Sequence, residues 1–123
     1  MALTAMSSTN QSAAPVVLAL TTEADTAKAE TLAKLILGQG LAACVSLRTV
    51  QSLYQWKGEL ETSNEVELLI KTSGEQLRAL ELAIKENHSY ELPEWLHWPV
   101  ASSAAYGAWL QGELKAANLA ETA

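Results

Sequence analysis

Apolar residues recur along the chain first as a short block, then at helical spacing, then at every second position, and these shifts of period predict the elements. After Pro15 the run Val16-Val17-Leu18-Ala19-Leu20, bounded by Thr21-Thr22, reads as a buried strand. Thr22 and Asp25 approximate a capping box, with Asp in place of Glu. From there to Gln39, Ala29, Leu32, Ala33, Leu35 and Ile36 recur at helical spacing, and Gly38 and Gly40 supply a stop. From Leu41 to Trp56, Ala43, Val45 and Leu47 alternate with Cys44, Ser46 and Arg48, which predicts a long strand with one face buried. Lys57-Gly58 is a two-residue turn. The return strand, Glu59 to Lys71, carries Val66, Leu68 and Ile70 on one face. Its Glu59, Glu61, Glu65 and Glu67 mark part of it as wet or as an edge. Ser73 and Gln76 form a second capping box, opening a helix with Leu77, Leu80 and Ile84 inward that ends near Asn87. Pro93 keeps residues 88–94 out of helix. A short strand, Glu94 to Val100, has Trp95 and Trp98 on opposite faces, with Pro99 pointing to an edge or a strand end. A last amphipathic helix places Tyr106, Trp109, Leu110 and Leu114 on one side.

The order β-α-β-β-α-β plus a C-terminal helix describes an α+β fold, a ferredoxin-like sandwich whose antiparallel sheet carries its helices on one face. Residues 15–117 form this domain, with tails at 1–14 and 118–123. The other sheet face and the strand edges need cover, and self-association would supply it.

At 123 residues the chain fits one domain, and 49% hydrophobic against 18% charged residues is a globular composition. The 14 acidic and 8 basic residues give a net charge of −6, with no basic stripe for nucleic acid and no polybasic membrane surface. No segment approaches the roughly 20 apolar residues that span a bilayer. The four Trp and three Tyr, with no Phe, suit core boundaries and interfaces. Cys44 is the single cysteine, which excludes an intrachain disulfide and fits a reducing, cytoplasmic compartment. The first fourteen residues lack Lys, Arg and a signal-length apolar run. Nucleophile elbow, phosphate loop and zincin motifs are missing, so the protein is expected to bind rather than catalyse.

Several segments together resemble the CutA divalent-cation-tolerance family. Ala42-Ala43-Cys44-Val45-Ser46 followed by Ser52-Leu53-Tyr54-Gln55-Trp56-Lys57-Gly58 is similar to its Ala-Cys-Val run and Ser-x-Tyr-x-Trp-x-Gly turn. Residues Glu65 to Thr72 resemble its Glu-to-Lys-Thr strand, and His88-Ser89-Tyr90-Glu91-Leu92-Pro93-Glu94 its His-Pro-Tyr-Glu-x-Pro-Glu signature. Tyr106 and Trp109 match its closing Tyr-x-x-Trp, so the resemblance covers residues 15 to 114. It implies a homotrimer, with strand edges pairing between subunits, and a role in tolerance of divalent metal ions, copper above all. It also suggests an alternative, a trimer like the PII signalling proteins that binds a small anionic ligand in the subunit cleft. Ser89 stands where the family has Pro, which loosens that loop. Ser102-Ser103 and Gly107 also depart from the pattern.

Copper favours thiolate and imidazole. Cys44 and His88, with Glu65 and Glu91, are the candidate metal ligands, although no Cys-x-x-Cys or His-x-x-x-His spacing is present. A tight site would therefore draw on more than one segment or subunit. A copper or other divalent cation is thus an optional ligand, and no cofactor is obligatory. Lys71, Tyr90, Tyr106 and Trp109 are the candidate lining of a ligand cleft, with Lys71 partnering Glu91 or an anion. Tyr54 and Trp56 read as packing of the hairpin.

Overall fold

The computed structural model describes residues 16–115; the expected tails at 1–14 and 118–123 lie outside the described residues. Strand β1 (Val16–Glu23) leads to helix α1 (Thr26–Gly38), and the long strands β2 (Cys44–Trp56) and β3 (Glu59–Ser73) form a hairpin. A 3-10 turn (Gly74–Gln76), helix α2 (Leu77–Asn87), strand β4 (Leu96–Val100) and helix α3 (Ala104–Glu113) complete the fold. The strands pair antiparallel in the order β2-β3-β1-β4, as a ferredoxin-like sandwich requires.

The period-2 patterns sort cleanly onto two faces. Ala19, Val66, Leu68 and Ile70 point at α1 and α2 and pack with Leu32, Ile36, Leu80 and Ile84 into one core. Burial of four such large aliphatic side chains on the helices alone is worth about 1.5–3 kcal/mol each. The opposite face carries Leu20, Leu69, Leu96 and Trp98, away from α1 and α2. On the edge strand β4, Leu96 stays 51% exposed and Trp98 39%, a large apolar exposure for residues paired with β1. At the hairpin tip both Lys57 (φ 51°) and Gly58 (φ 82°) are left-handed, the requirement of a two-residue turn that matches strand twist.

Several local expectations change, among them the start of β4, at Leu96 rather than Glu94, and the end of β3, at Ser73 rather than Lys71. β1 continues through Thr22 to Glu23, so Asp25 is the cap of α1, its carboxylate accepting the Lys28 N–H at 2.8 Å. Ser73 makes no capping bond, because it is still in β3, paired with Val16. Gln76 turns inward instead, and its amide donates to the Gly40 and Lys115 carbonyls at 2.8 and 3.1 Å. β2 begins at Cys44 rather than Leu41, since Leu41 and Ala42 are buried in the turn that closes α1. In α3 only Leu110 is buried; Tyr106 and Trp109 are exposed, and Leu114 lies just past the helix end.

Candidate functional site

The site follows from unequal strand lengths. β1 pairs with β3 only over Val66–Ser73, so, among the described residues, 59–65 of β3 have β2 on one side and no strand on the other. This arm runs about 23 Å past the end of β1. The loop between α2 and β4, barred from helix by Pro93, lies beside it. Arm and loop enclose a cleft of about 870 Å³. Tyr54 and Trp56 from β2, Glu61 and Glu65 from β3, and Tyr90, Glu91 and Glu94 from the loop reach its walls.

Two buried contacts fix the loop. The Tyr90 hydroxyl donates to Glu65 Oε2 at 2.7 Å, and burial together with this carboxylate pushes the phenol above its ordinary pKa. Beneath the cleft, the His88 side chain is fully buried. Its Nδ1 accepts the Tyr90 N–H at 2.9 Å and its Nε2 meets the Thr22 carbonyl, which assigns the neutral tautomer with hydrogen on Nε2. Glu23, 1% exposed, accepts the Ala24 N–H, the Ser89 N–H at 2.9 Å and the Ser89 hydroxyl. Burial raises the Glu23 carboxyl, but the two Ser89 bonds and the Ala24 bond outweigh it and hold the pKa below the usual range. The loop therefore gains from Ser89 two anchors, where a proline ring would have restrained the backbone instead. Glu94 is pushed the other way, raised by burial and then by the Glu65 and Glu67 charges.

The candidate residues separate into three places. Glu65, Tyr90 and Glu91 come together at the cleft. Cys44 and Lys71 pair across β2 and β3 on the uncovered face, where Lys71 Nζ lies 2.9 Å from Ser46 Oγ and 3.7 Å from Cys44 Sγ. Lys71 shares a sheet face with Glu65 but sits six positions along β3, about 20 Å away. Tyr106 and Trp109 stack on each other on α3, with ring centroids 5.4 Å apart. Cys44 and His88 do not meet: Cys44 lies across from Leu18 through Lys71, and His88 bonds four residues further along β1. With both ring nitrogens engaged, His88 has no lone pair for a metal in this state. Among the described residues no three His, Cys, Asp or Glu side chains are grouped closely enough to hold one ion. Tyr54, Trp56, Glu61, Glu94 and Glu23 were not among the expected site residues. The glutamates at alternate positions 59, 61, 65 and 67 were the available signal for Glu61.

Fold and cleft together define a ferredoxin-like α+β domain with a cleft beside a protruding hairpin. The model of the CutA1 divalent ion tolerance protein family matches residues 17–113, and the chain belongs to that family. A divalent-cation tolerance protein CutA of Yersinia pestis (strain Pestoides F) is 42% identical over 100 residues, 80% of this chain and 84% of its own length. The solved CutA of Synechococcus elongatus PCC7942 superimposes with a TM-score of 0.80 at 40% identity, over 83% of this chain and 92% of its own. That of Archaeoglobus fulgidus, described as a periplasmic divalent cation tolerance protein CutA, gives 0.79 at 26% identity, over 81% and 99%.

Proposed function

We infer that the protein serves divalent-cation tolerance as a homotrimer that binds rather than catalyses. Family membership carries the reading, because the curated relatives are named for tolerance of divalent cations. The uncovered sheet face supports the assembly. Leu96 and Trp98 lie on that face beside Leu20 and Leu69, and among the described residues β2 and β4 are the two edges of the sheet. Packing three such faces together removes apolar area from water and gives the edges partners.

Copper is the ion proposed, and a site for it needs ligands from more than one subunit, since one chain groups no three donors among the described residues. Cys44, on the face that assembly covers, is the soft donor for it; Glu65 and Glu91 offer oxygen donors at the cleft. His88 would join only by releasing Thr22 and Tyr90. The free thiol fits a reducing, cytoplasmic compartment. No helix among the described residues is long and apolar enough to cross a membrane.

A strain lacking the protein should grow less well in elevated copper, and the wild-type chain should restore growth. Equal growth with and without the protein overturns the reading. Calorimetry with copper on the wild type and Cys44→Ser tests the thiol: equal binding removes Cys44 as a ligand.

A further inference from the structure

The loop after α2 is tied down by side chains rather than by backbone pairing. Among the described residues, 89–94 make no backbone-to-backbone hydrogen bond, and the last one before them runs from the His88 N–H to the Ile84 carbonyl at 2.9 Å. Instead, Glu23 accepts the Ser89 N–H and hydroxyl, His88 Nδ1 accepts the Tyr90 N–H, and Glu65 accepts the Tyr90 hydroxyl. We propose that residues 89–94 form a strap over the His88 imidazole, latched by Ser89 on Glu23. The strap opens as one unit and unmasks the ring while the domain stays folded.

The mask has two parts, and both belong to the strap. The Tyr90 ring lies against the imidazole with centroids 4.9 Å apart, and the His88 side chain is 0% exposed. The Tyr90 N–H occupies Nδ1, the one ring nitrogen with a lone pair when hydrogen sits on Nε2. What holds the imidazole itself lies elsewhere. Its Nε2 meets the Thr22 carbonyl on β1, and its backbone continues from α2, where Ala83 and Ile84 are packed into the core. The ring therefore keeps its place when the strap leaves. One side of the latch is fixed and the other is open to water. Glu23 is 1% exposed and is also held by the Ala24 N–H, whereas Ser89 is exposed. Leu92 is 70% exposed, and Glu91 and Glu94 face solvent too, so opening gives up little apolar burial. Segments of this kind, with exposed hydrogen bonds and few buried apolar contacts, open at far lower cost than the whole domain. A freed Nδ1 turns a structural imidazole into an available base or nucleophile. The latch residue Glu23 is not among the copper donors proposed above, so the strap stands apart from the choice of ion.

The two histidines supply the readout, His88 masked and His97 exposed. The full chain in its native assembly, free of metal, is treated with diethyl pyrocarbonate at about pH 7, where neutral imidazole reacts. Carbethoxylation of each histidine is followed by mass spectrometry, beside amide exchange of Tyr90 and of the core residues Leu68 and Ile70. His88 is expected to react more slowly than His97, yet faster than Leu68 and Ile70 exchange. Ser89→Ala removes a hydroxyl that touches neither His88 nor the Tyr90 N–H. It should nevertheless speed His88 modification and Tyr90 exchange together, by about tenfold, with His97 unchanged. Ser89→Thr, which keeps the hydroxyl, should restore slow reaction. Tyr90→Phe, which drops the Glu65 anchor, should speed His88 modification about threefold or more. An unchanged His97 rate and elution volume confirm that each variant is folded and assembled. Wild-type His88 that reacts only as fast as the core amides exchange would overturn the proposal, because the ring is then freed by global unfolding alone. So would Ser89→Ala and Tyr90→Phe variants whose His88 and Tyr90 rates match the wild type.

Discussion

Glu23 shows how much one buried carboxylate can organise. It is the acceptor for three donors, two of them on Ser89, and Ser89 stands between the cleft residue Tyr90 and the buried His88. Because its folded pKa lies below the ordinary 4.5, the Glu23 interactions stabilise the protein above that pH and are lost as pH falls through the lowered value. Glu23→Gln should therefore cost about 1–3 kcal/mol near pH 7, measured by urea unfolding at fixed protein concentration. Its deficit relative to the wild type should shrink on acidification below about pH 4.5; a deficit independent of pH would remove the ionised carboxylate as the cause. Glu94 carries the opposite sign. Its raised pKa means that ionisation weakens the folded state, so Glu94→Gln should stabilise the fold slightly at neutral pH, by less than about 1 kcal/mol after solvent screening, read as a small rise in Tm. That gain should vanish once the pH is low enough to protonate the wild-type carboxyl.

Among the elements, the turn after α1 is the most constrained junction. Gly40 is left-handed (φ 71°), and a Cβ there would sit 2.2 Å from Lys115 Cγ, while Gln76 holds the Gly40 and Lys115 carbonyls together. Gly40→Ala should cost about 1–2 kcal/mol from backbone strain, before any displacement of Lys115. Gln76→Leu should cost about 1–2 kcal/mol by removing the side-chain donor shared by the Gly40 and Lys115 carbonyls, of which Gly40 keeps the Lys115 N–H. Thermal melts of both variants check this, and a Gln76→Leu melt equal to the wild type would show that the carbonyls find other partners. Element order was legible in the sequence, because Ala29, Leu32 and Ile36 on α1 and Val66, Leu68 and Ile70 on β3 keep distinct periods. The Ser73 box was not, because a long-range pairing with Val16 claims that residue for the sheet. The same limit divides the site. Tyr90 and Glu91 stand out in a Pro-broken loop, whereas Tyr54, Trp56 and Glu61 join them only because β3 outruns β1. Lys71 ends an apolar strand and so invites pairing with Glu91, but six positions of β3 separate it from Glu65 at the cleft, and it meets Ser46 and Cys44 instead.

For the whole molecule the uncovered sheet face decides behaviour. If it forms the trimer, Trp98→Glu should convert the assembly to monomers by light scattering, since a charge buried among apolar side chains costs several kcal/mol. A trimer that survives this change would move the interface to another surface. The four Trp also fall in four separate settings. Trp95 packs against the core with its Nε1 buried and unpartnered, Trp98 lies on the open face, Trp56 lines the cleft, and Trp109 stacks on Tyr106. A chain retaining one Trp at a time thus becomes four optical instruments, reading core melting, assembly, cleft occupancy and the last helix separately. Trp98 emission should shift blue on assembly at concentrations where Trp95 emission stays constant, giving the order of folding and association from a dilution series alone.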